Sequence, residues 1–166
     1  KKLLRGCRTI IDMYGNLVSP NYPPLKAGLA LKTPQEPAGL KFINPAVNVI
    51  ILKVFPGIDP NYMKSIAENG NINGVILESA HHGNIPNDQT FLDSIKQMAE
   101  KEVVIIALSY DGQSDIKLLE AGALPGYDMT CPAAYTKLLF LLSNIQDRKI
   151  IAQLLEVNFR GEMNKM

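Results

Sequence analysis

Two polar loops hold most of the side chains in this sequence that could bind or transform a small molecule. The first, residues 78–87, gathers a carboxylate, a hydroxyl, two imidazoles and two amides around Gly83. The second, residues 109–115, contains Asp111 and Asp115, which could bind a cation or an ammonium group. Each loop follows an apolar run that is typical of a buried strand. Because open parallel sheets bind ligands at the carboxyl ends of their strands, we expect a site at these loops.

The paired histidines His81 and His82 have three competing interpretations. Adjacent residues of an extended chain point apart and no third ligand is placed by spacing, which argues against a metal. Ser79 with His81 has the residue types of a hydrolase pair, yet nothing resembles the strand-to-helix elbow that such a serine needs. We therefore interpret both histidines as solvated loop residues, and we expect neither a metal nor another cofactor.

The amide and carboxylate candidates also have plain structural interpretations. Gly83 allows a sharp turn, and Asn84 can either bond its own backbone to start the next helix or reach a polar ligand; the residues leave both open. For Asp111 we favour an ordinary turn closed by Gly112, with Ser114 or Asp115 capping a short helix.

Alternating strands and helices position these loops. The nearly continuous apolar run at residues 47–55 predicts a strand buried on both faces of a parallel sheet. Residues 74–78 and 103–108 predict two more strands, and a short fourth is expected near Leu124. This alternation predicts an α/β fold of three layers, with a parallel sheet of about four strands flanked by helices.

Besides the short helix after Gly112, four helices are predicted between and after the strands, three of them from a capping residue. Asp59 caps a helix to about residue 68, and a second helix runs over residues 88–101 with Phe91, Ile95 and Met98 on one face. Thr130 and Asp147 cap the last two. In the final helix the side chains expected to be buried are Ile150, Ile151, Leu154 and Leu155.

The chain divides at a proline-rich and glycine-containing stretch without periodicity. We interpret residues 32–45 as a linker, residues 46–166 as a carboxy-terminal α/β domain and residues 1–31 as the tail end of an amino-terminal domain. The first segment is too short and too proline-rich to fold alone, which predicts that the chain is part of a larger protein.

The composition of the chain argues against a disordered or coiled segment. Hydrophobic residues are 46% and charged residues 20% of the chain, which is typical of an ordinary globular domain. The formal net charge of +1 favours neither a nucleic acid nor a membrane surface as partner, and fits a small neutral or zwitterionic ligand. The separated Cys7 and Cys131 leave a disulfide open, although we expect two free thiols in a reducing compartment.

Seven short strings are spread along the chain: LRGCRT at 4–9, SPNYPPL at 19–25, FPGI at 55–58, GNIP at 83–86, GYDMT at 126–130, AAYTKL at 133–138 and RGEM at 160–163. In order and spacing these strings resemble the L-asparaginases of the cytoplasmic type. The resemblance spans nearly the whole chain and implies the flavodoxin-like or Rossmann-like carboxy-terminal domain of that family.

In that family an amino-terminal domain carries a nucleophilic threonine in a Thr-Gly-Gly-Thr type motif, and amide hydrolysis proceeds through an acyl-enzyme. This motif is absent from the sequence, so we expect no catalytic residue in this chain. The Gly-Asn loop of the family approaches the active site of a neighbouring subunit. The resemblance therefore implies that Asn84 and Gly83 contribute to substrate binding across a dimer interface, with weaker claims for Glu78 and Asp111.

The resemblance carries further expectations about the complete protein. It implies hydrolysis of L-asparagine to L-aspartate and ammonia, a homodimer or homotetramer, and a cytoplasmic location, while the isolated chain is expected to be inactive. Bacterial members can bind asparagine as an effector through a threonine, an arginine and a cysteine, and the matching positions here are Ile10, Glu78 and Asp111. We expect that effector site to be absent or altered. The alternatives are a non-catalytic amino-acid-binding or regulatory module, and the D-type component of the archaeal transfer-RNA amidotransferase.

Overall fold

A four-stranded parallel sheet forms the centre of the chain. The computed structural model describes residues 43–68, 71–79, 85–86, 88–110, 112–159 and 161–163, together with the backbone of two short strands near the amino terminus. The strands are β1 Ile10–Ile11, β2 Leu17–Val18, β3 Val49–Val54, β4 Gly74–Ser79, β5 Val104–Ser109 and β6 Leu124–Pro125. The helices are α1 Asn61–Glu68, α2 Gln89–Glu100, α3 Ile116–Glu120, α4 Cys131–Asn144 and α5 Arg148–Leu155.

The strand order is β3-β4-β5-β6, and β1 pairs with β2 in a separate antiparallel ladder. All neighbours in the larger sheet are parallel, with Val49 opposite Gly74 and Gly74 opposite Val104. The carboxyl ends of β3, β4 and β5 therefore lie at the same edge of the sheet. The predicted α/β fold with a parallel sheet of about four strands is confirmed.

Apolar side chains cover both faces of this sheet. One core contains residues of α1, α2 and α3 against one face of the strands, including the fully buried Phe91 and Ile95. The other contains residues of α4 and α5, including Leu138 and Ile151. Because successive strand residues point to opposite faces, Leu77 belongs to the first core and its neighbour Ile76 to the second. The three predicted layers are therefore a helix layer on each side of one sheet.

Side-chain caps start the helices where the sequence predicts them. The side chain of Asp88 accepts the N–H of Phe91, Thr130 accepts that of Ala133, and Asp147 accepts that of Lys149. Each such cap stabilises a helix by about 1 kcal/mol, because it satisfies a backbone donor that has no partner inside the helix. The caps fix the starts of α2, α4 and α5.

The prediction that the first strand of the domain is buried on both faces is wrong. In β3, Ile51 is 48% exposed and Lys53 is also exposed, whereas every residue of β5 is buried. The physical reason is that β3 lies at the edge of the described sheet and pairs only with β4. Apolar periodicity cannot distinguish an edge strand from a central one.

The predicted buried face of the last helix is too wide. Ile151 and Leu155 are buried, Leu154 is half-buried, and Ile150 is 45% exposed. A helix that packs on one neighbour buries a single stripe of positions, and Ile150 lies outside that stripe.

In the part of the chain that the structure describes, no helix has the length and apolar character needed to cross a bilayer.

Candidate functional site at the carboxyl edge of the sheet

Glu78 is the predicted site residue that the structure places at this edge. It lies in β4 directly opposite Lys53 of β3 on one side and Leu108 of β5 on the other. Alternation along β4 turns Glu78 to the same face as Ile76, which is the face covered by α4. A carboxylate and an ammonium group on neighbouring strands thus lie at the carboxyl end of the sheet.

Cys131 joins these two charges from the first turn of α4. Burial raises the pKa of its thiol, the Glu78 carboxylate raises it further, and Lys53 opposes the shift. The Cys131 thiol also hydrogen-bonds to the Glu78 side chain. We refer to Lys53, Glu78 and Cys131 as the edge cluster. At neutral pH its cysteine is a protonated thiol beside a carboxylate, and therefore a weak nucleophile.

The sequence predicts Cys131 to be one of two free thiols and indicates no role for it in the site. The structure confirms that Cys131 is free. The available signal was its position immediately after the Thr130 cap, because a helix that follows β6 begins near the carboxyl edge of the sheet. Cys7 lies outside the described residues.

Ser79 is not available as a nucleophile. It is buried, and its hydroxyl donates to the carbonyl oxygen of Leu108 at 3.1 Å across the β4–β5 pair. This agrees with the sequence argument against a Ser79–His81 pair. Within the described ranges, no group of three or more histidine, cysteine, aspartate or glutamate residues is arranged to hold a metal ion.

A turn closed by Gly112 follows β5, as the sequence predicts. The N–H of Gly112 donates to the carbonyl of Ser109 at 3.1 Å, and Gly112 has a φ of 78° that suits glycine. The Ser114 hydroxyl donates to the carbonyl of Ala107 at 3.0 Å, and Asp115 accepts the N–H of Lys117 to cap α3. The turn leaves Tyr110 55% exposed at the carboxyl edge.

The other predicted site residues lie outside the described residues. These are Gly83, Asn84 and Asp111, together with His81 and His82. The structure nevertheless describes the end of β4 and the start of α2, and these two elements bound the loop that carries Gly83 and Asn84. Of the four predicted binding residues, Glu78 alone can be placed, and it lies with Lys53 and Cys131.

An open parallel α/β domain with polar groups at the carboxyl ends of its strands defines a class of ligand-binding domains. Within that class, the chain belongs to the glutaminase/asparaginase C-terminal domain family, whose model matches residues 48–155. The resemblance read from the seven strings is thereby confirmed.

Relatives with known names extend this match. The chain is 29% identical to "L-asparaginase 1" of Escherichia coli K12 over 98% of its own length and 54% of that protein. It is 28% identical to the D-type component of the glutamyl-tRNA(Gln) amidotransferase of Pyrococcus horikoshii over 69% of its own length and 28% of that protein. The crystal structure of L-asparaginase I from Vibrio cholerae superimposes with a TM-score of 0.66 at 28% identity, covering 74% of this chain and 38% of that one. The match to L-asparaginase 1 covers nearly all of this chain, and the chain therefore spans about half the length of that protein.

Proposed function

We propose that this chain is the carboxy-terminal portion of an L-asparaginase, which hydrolyses L-asparagine to L-aspartate and ammonia. The observation that carries the proposal is the match to L-asparaginase 1 over 98% of the chain, which includes the residues before the family domain. The amidotransferase component matches over 69% of the chain.

In this proposal the chain supplies part of the substrate pocket and none of the covalent chemistry. A threonine of the amino-terminal domain attacks the side-chain amide carbon of asparagine and releases ammonia. Water then hydrolyses the resulting acyl-enzyme. Asn84 reaches the substrate of a neighbouring subunit through its amide, and Gly83 lets the loop backbone come close to that subunit. Glu78 and Asp111 have secondary roles in binding.

The position of the edge cluster supports a binding role for this edge. Glu78 lies near the end of a strand whose following loop contains Gly83 and Asn84. The charges of Glu78 and Lys53 oppose each other across one strand pair, so the edge presents both signs to a zwitterionic amino acid. Lys53 would attract the carboxylate of such a ligand, whereas Glu78 would attract only its ammonium group.

The complete protein is proposed to be a cytoplasmic homodimer or homotetramer, because the Gly-Asn loop acts on a neighbouring subunit. Sedimentation equilibrium of the complete protein tests this, and a monomer that turns over asparagine at full rate would contradict it. The location follows from the resemblance to the cytoplasmic type. No cofactor takes part in the proposed reaction.

The effector site of bacterial relatives is proposed to be absent or altered. In those relatives an arginine binds the effector, and this chain has Glu78 at the matching position. The carboxylate of Glu78 would repel the carboxylate of the effector asparagine. Saturation by asparagine should therefore be hyperbolic. A sigmoidal curve from the complete protein would show that the site persists.

The second candidate function is the D-type component of a transfer-RNA amidotransferase, which the match to the Pyrococcus horikoshii protein favours. A non-catalytic amino-acid-binding module is the remaining alternative. The sequence encoded upstream of Lys1 separates these candidates at little cost. A Thr-Gly-Gly-Thr strand there favours an enzyme, and a start codon directly before the codon of Lys1 favours a binding module.

The activity test compares the complete protein with residues 1–166 alone in an ammonia-release assay. The complete protein should release ammonia from free L-asparagine, and the 166-residue chain should not. Turnover by the chain alone would refute the placement of the nucleophile. A complete protein that acts only on glutamine in the presence of transfer RNA would identify the amidotransferase instead.

A further inference from the structure

Tyr127 has a backbone conformation that residues with large side chains rarely adopt. Its φ is 50°, and Glu102 at 63° is the other non-glycine residue with a positive φ in the described ranges. Glu102 is explained by the end of α2. Its N–H donates to the carbonyl of Ala99, and the N–H of Val103 donates to that of Met98. These two bonds end a helix with one left-handed residue, whereas Tyr127 follows a strand and has no such explanation.

Tyr127 is the first central residue of a tight turn between β6 and α4, which we call the β6 turn. The N–H of Met129 donates to the carbonyl of Gly126 at 3.3 Å and closes the turn around Tyr127 and Asp128. A positive φ at the first central position favours glycine. The glycine lies one residue earlier because a Cβ at Gly126 would overlap the side chain of Leu108. Close packing of β6 on β5 therefore leaves a tyrosine in the strained position.

The β6 turn packs against the turn that Gly112 closes after β5, which we call the β5 turn. A Cβ on Gly112 would lie 3.3 Å from Cβ of Asp128 and 3.4 Å from its Cα, so Asp128 lies directly against Gly112. Tyr110, in the β5 turn, is 55% exposed at the carboxyl edge of the sheet. The strained turn thus supports the turn that carries Tyr110.

Tyr127 also borders the edge cluster. Its side chain is half-buried and packs against the core on the α4 side, which contains Leu108 and against which Cys131 also packs. Leu108 lies opposite Glu78 in the β4–β5 pair. Tyr127 therefore connects the core beneath the edge cluster with the β5 turn. Backbone strain persists only where the surrounding structure holds it, and it is concentrated at functional sites.

We propose that Tyr127 is a positioning residue of the site at the carboxyl edge. Its ring is anchored in the core, and its left-handed backbone holds Asp128 against Gly112. The β5 turn is thereby fixed, and it presents Tyr110 to the amino-acid ligand. Tyr127 acts through this turn and not through a contact with the ligand. The role of Tyr110 rests on the proposed function, whereas the link between the two turns does not.

Hydrogen exchange of the complete protein tests that link at the N–H of Gly112, which is bonded to the carbonyl of Ser109. Tyr127→Ala should speed this exchange at least about tenfold, because the ring is lost and alanine disfavours the left-handed conformation. Tyr127→Gly should speed it less, because glycine adopts that conformation without strain. The control is Tyr135→Ala, which removes a ring from the same core on α4 and should leave the exchange unchanged.

A role limited to filling the core gives the reverse order of the two variants. Tyr127→Ala and Tyr127→Gly lose the same ring, and the glycine variant has the more flexible backbone. Exchange that is as fast in Tyr127→Gly as in Tyr127→Ala, or faster, would therefore overturn the proposal.

Kinetics of the complete protein test the consequence for the site. Tyr127→Ala should lower kcat/KM for L-asparagine at least about tenfold, and Tyr127→Gly should recover part of that loss. The loss from Tyr127→Ala should shrink in a Tyr110→Ala background, since both changes remove the same contact. Additive losses would overturn the proposal. An unmodified protein without activity on asparagine would refute the proposed function instead, and the exchange order would then decide the link between the turns.

Discussion

The ammonium group of Lys137 lies 3.0 Å from the carboxylate of Glu162, with the two side chains only 5% and 11% exposed. The same ammonium donates to the carbonyls of Leu155 and Val157, and it lies 4.9 Å from the ring centre of Phe159. One side chain of α4 therefore holds the end of α5 and the tail that follows it. Met163, the neighbour of Glu162 in the chain, is buried in the core.

Removing this lysine should destabilise the domain strongly. Lys137→Ala leaves the Glu162 carboxylate and two carbonyls without their partner, and we expect a loss of about 3–5 kcal/mol in the free energy of unfolding. Urea denaturation measures it. The control is Lys64→Ala, which breaks an exposed pair with Glu68 at 4.0 Å and should cost less than about 1 kcal/mol. Equal losses would contradict the buried role of Lys137.

In the edge cluster, the charges of Glu78 and Lys53 should have opposite effects on the pKa of the Cys131 thiol. Glu78→Gln should lower the pKa of the thiol and speed its alkylation by iodoacetamide at about pH 8, because a negative charge and a hydrogen bond are lost. Lys53→Gln should raise the pKa and slow alkylation, because the opposing positive charge is lost. The pH–rate profile of a Cys7→Ser chain measures both shifts.

The control for this experiment is Glu100→Gln, a change at the last residue of α2, which should leave the alkylation profile where it is. The cluster geometry would be refuted if Glu78→Gln and Lys53→Gln shifted the profile in the same direction.

Close packing around two glycines predicts unequal costs of adding a methyl group. A Cβ at Gly126 would lie 2.7 Å from the carbonyl oxygen of Ala107, which β5 holds in place. A Cβ at Gly74 would instead meet Leu138 Cδ2 at 2.8 Å, a side-chain end that can move. Gly126→Ala should therefore lose about 1–3 kcal/mol of stability, and Gly74→Ala less. Urea denaturation of both variants checks the order, and a larger loss for Gly74→Ala would contradict it.

In the complete protein, Asn84→Ala should lower kcat/KM for L-asparagine. Loss of one hydrogen bond to a charged substrate costs about 1.5–3 kcal/mol, which corresponds to roughly a 10- to 100-fold decrease. The nearby Asn87 provides a matched control in the same loop, and Asn87→Ala should change kcat/KM by less than about threefold. If both variants lose activity equally, the loop acts through its fold and Asn84 has no special contact.

Local signals predicted most elements because they act over a few residues. Asp88, Thr130 and Asp147 cap the helices that follow them, and β4 and β5 lie within about a residue of their predicted bounds. The errors concern exposure. Ile51 and Ile150 are apolar and carry the expected periodicity, yet their burial depends on which other elements cover them.

The sequence by itself determined the order of strands and helices, their caps, the family resemblance and the absence of a nucleophile motif, since each rests on residue types at short spacing. Only the tertiary structure decided that Lys53 lies beside Glu78, that Cys131 joins them, and that Lys137 pairs with Glu162. These residues are far apart along the chain. Strand register and helix packing bring them together, and both are set by the burial of the whole core.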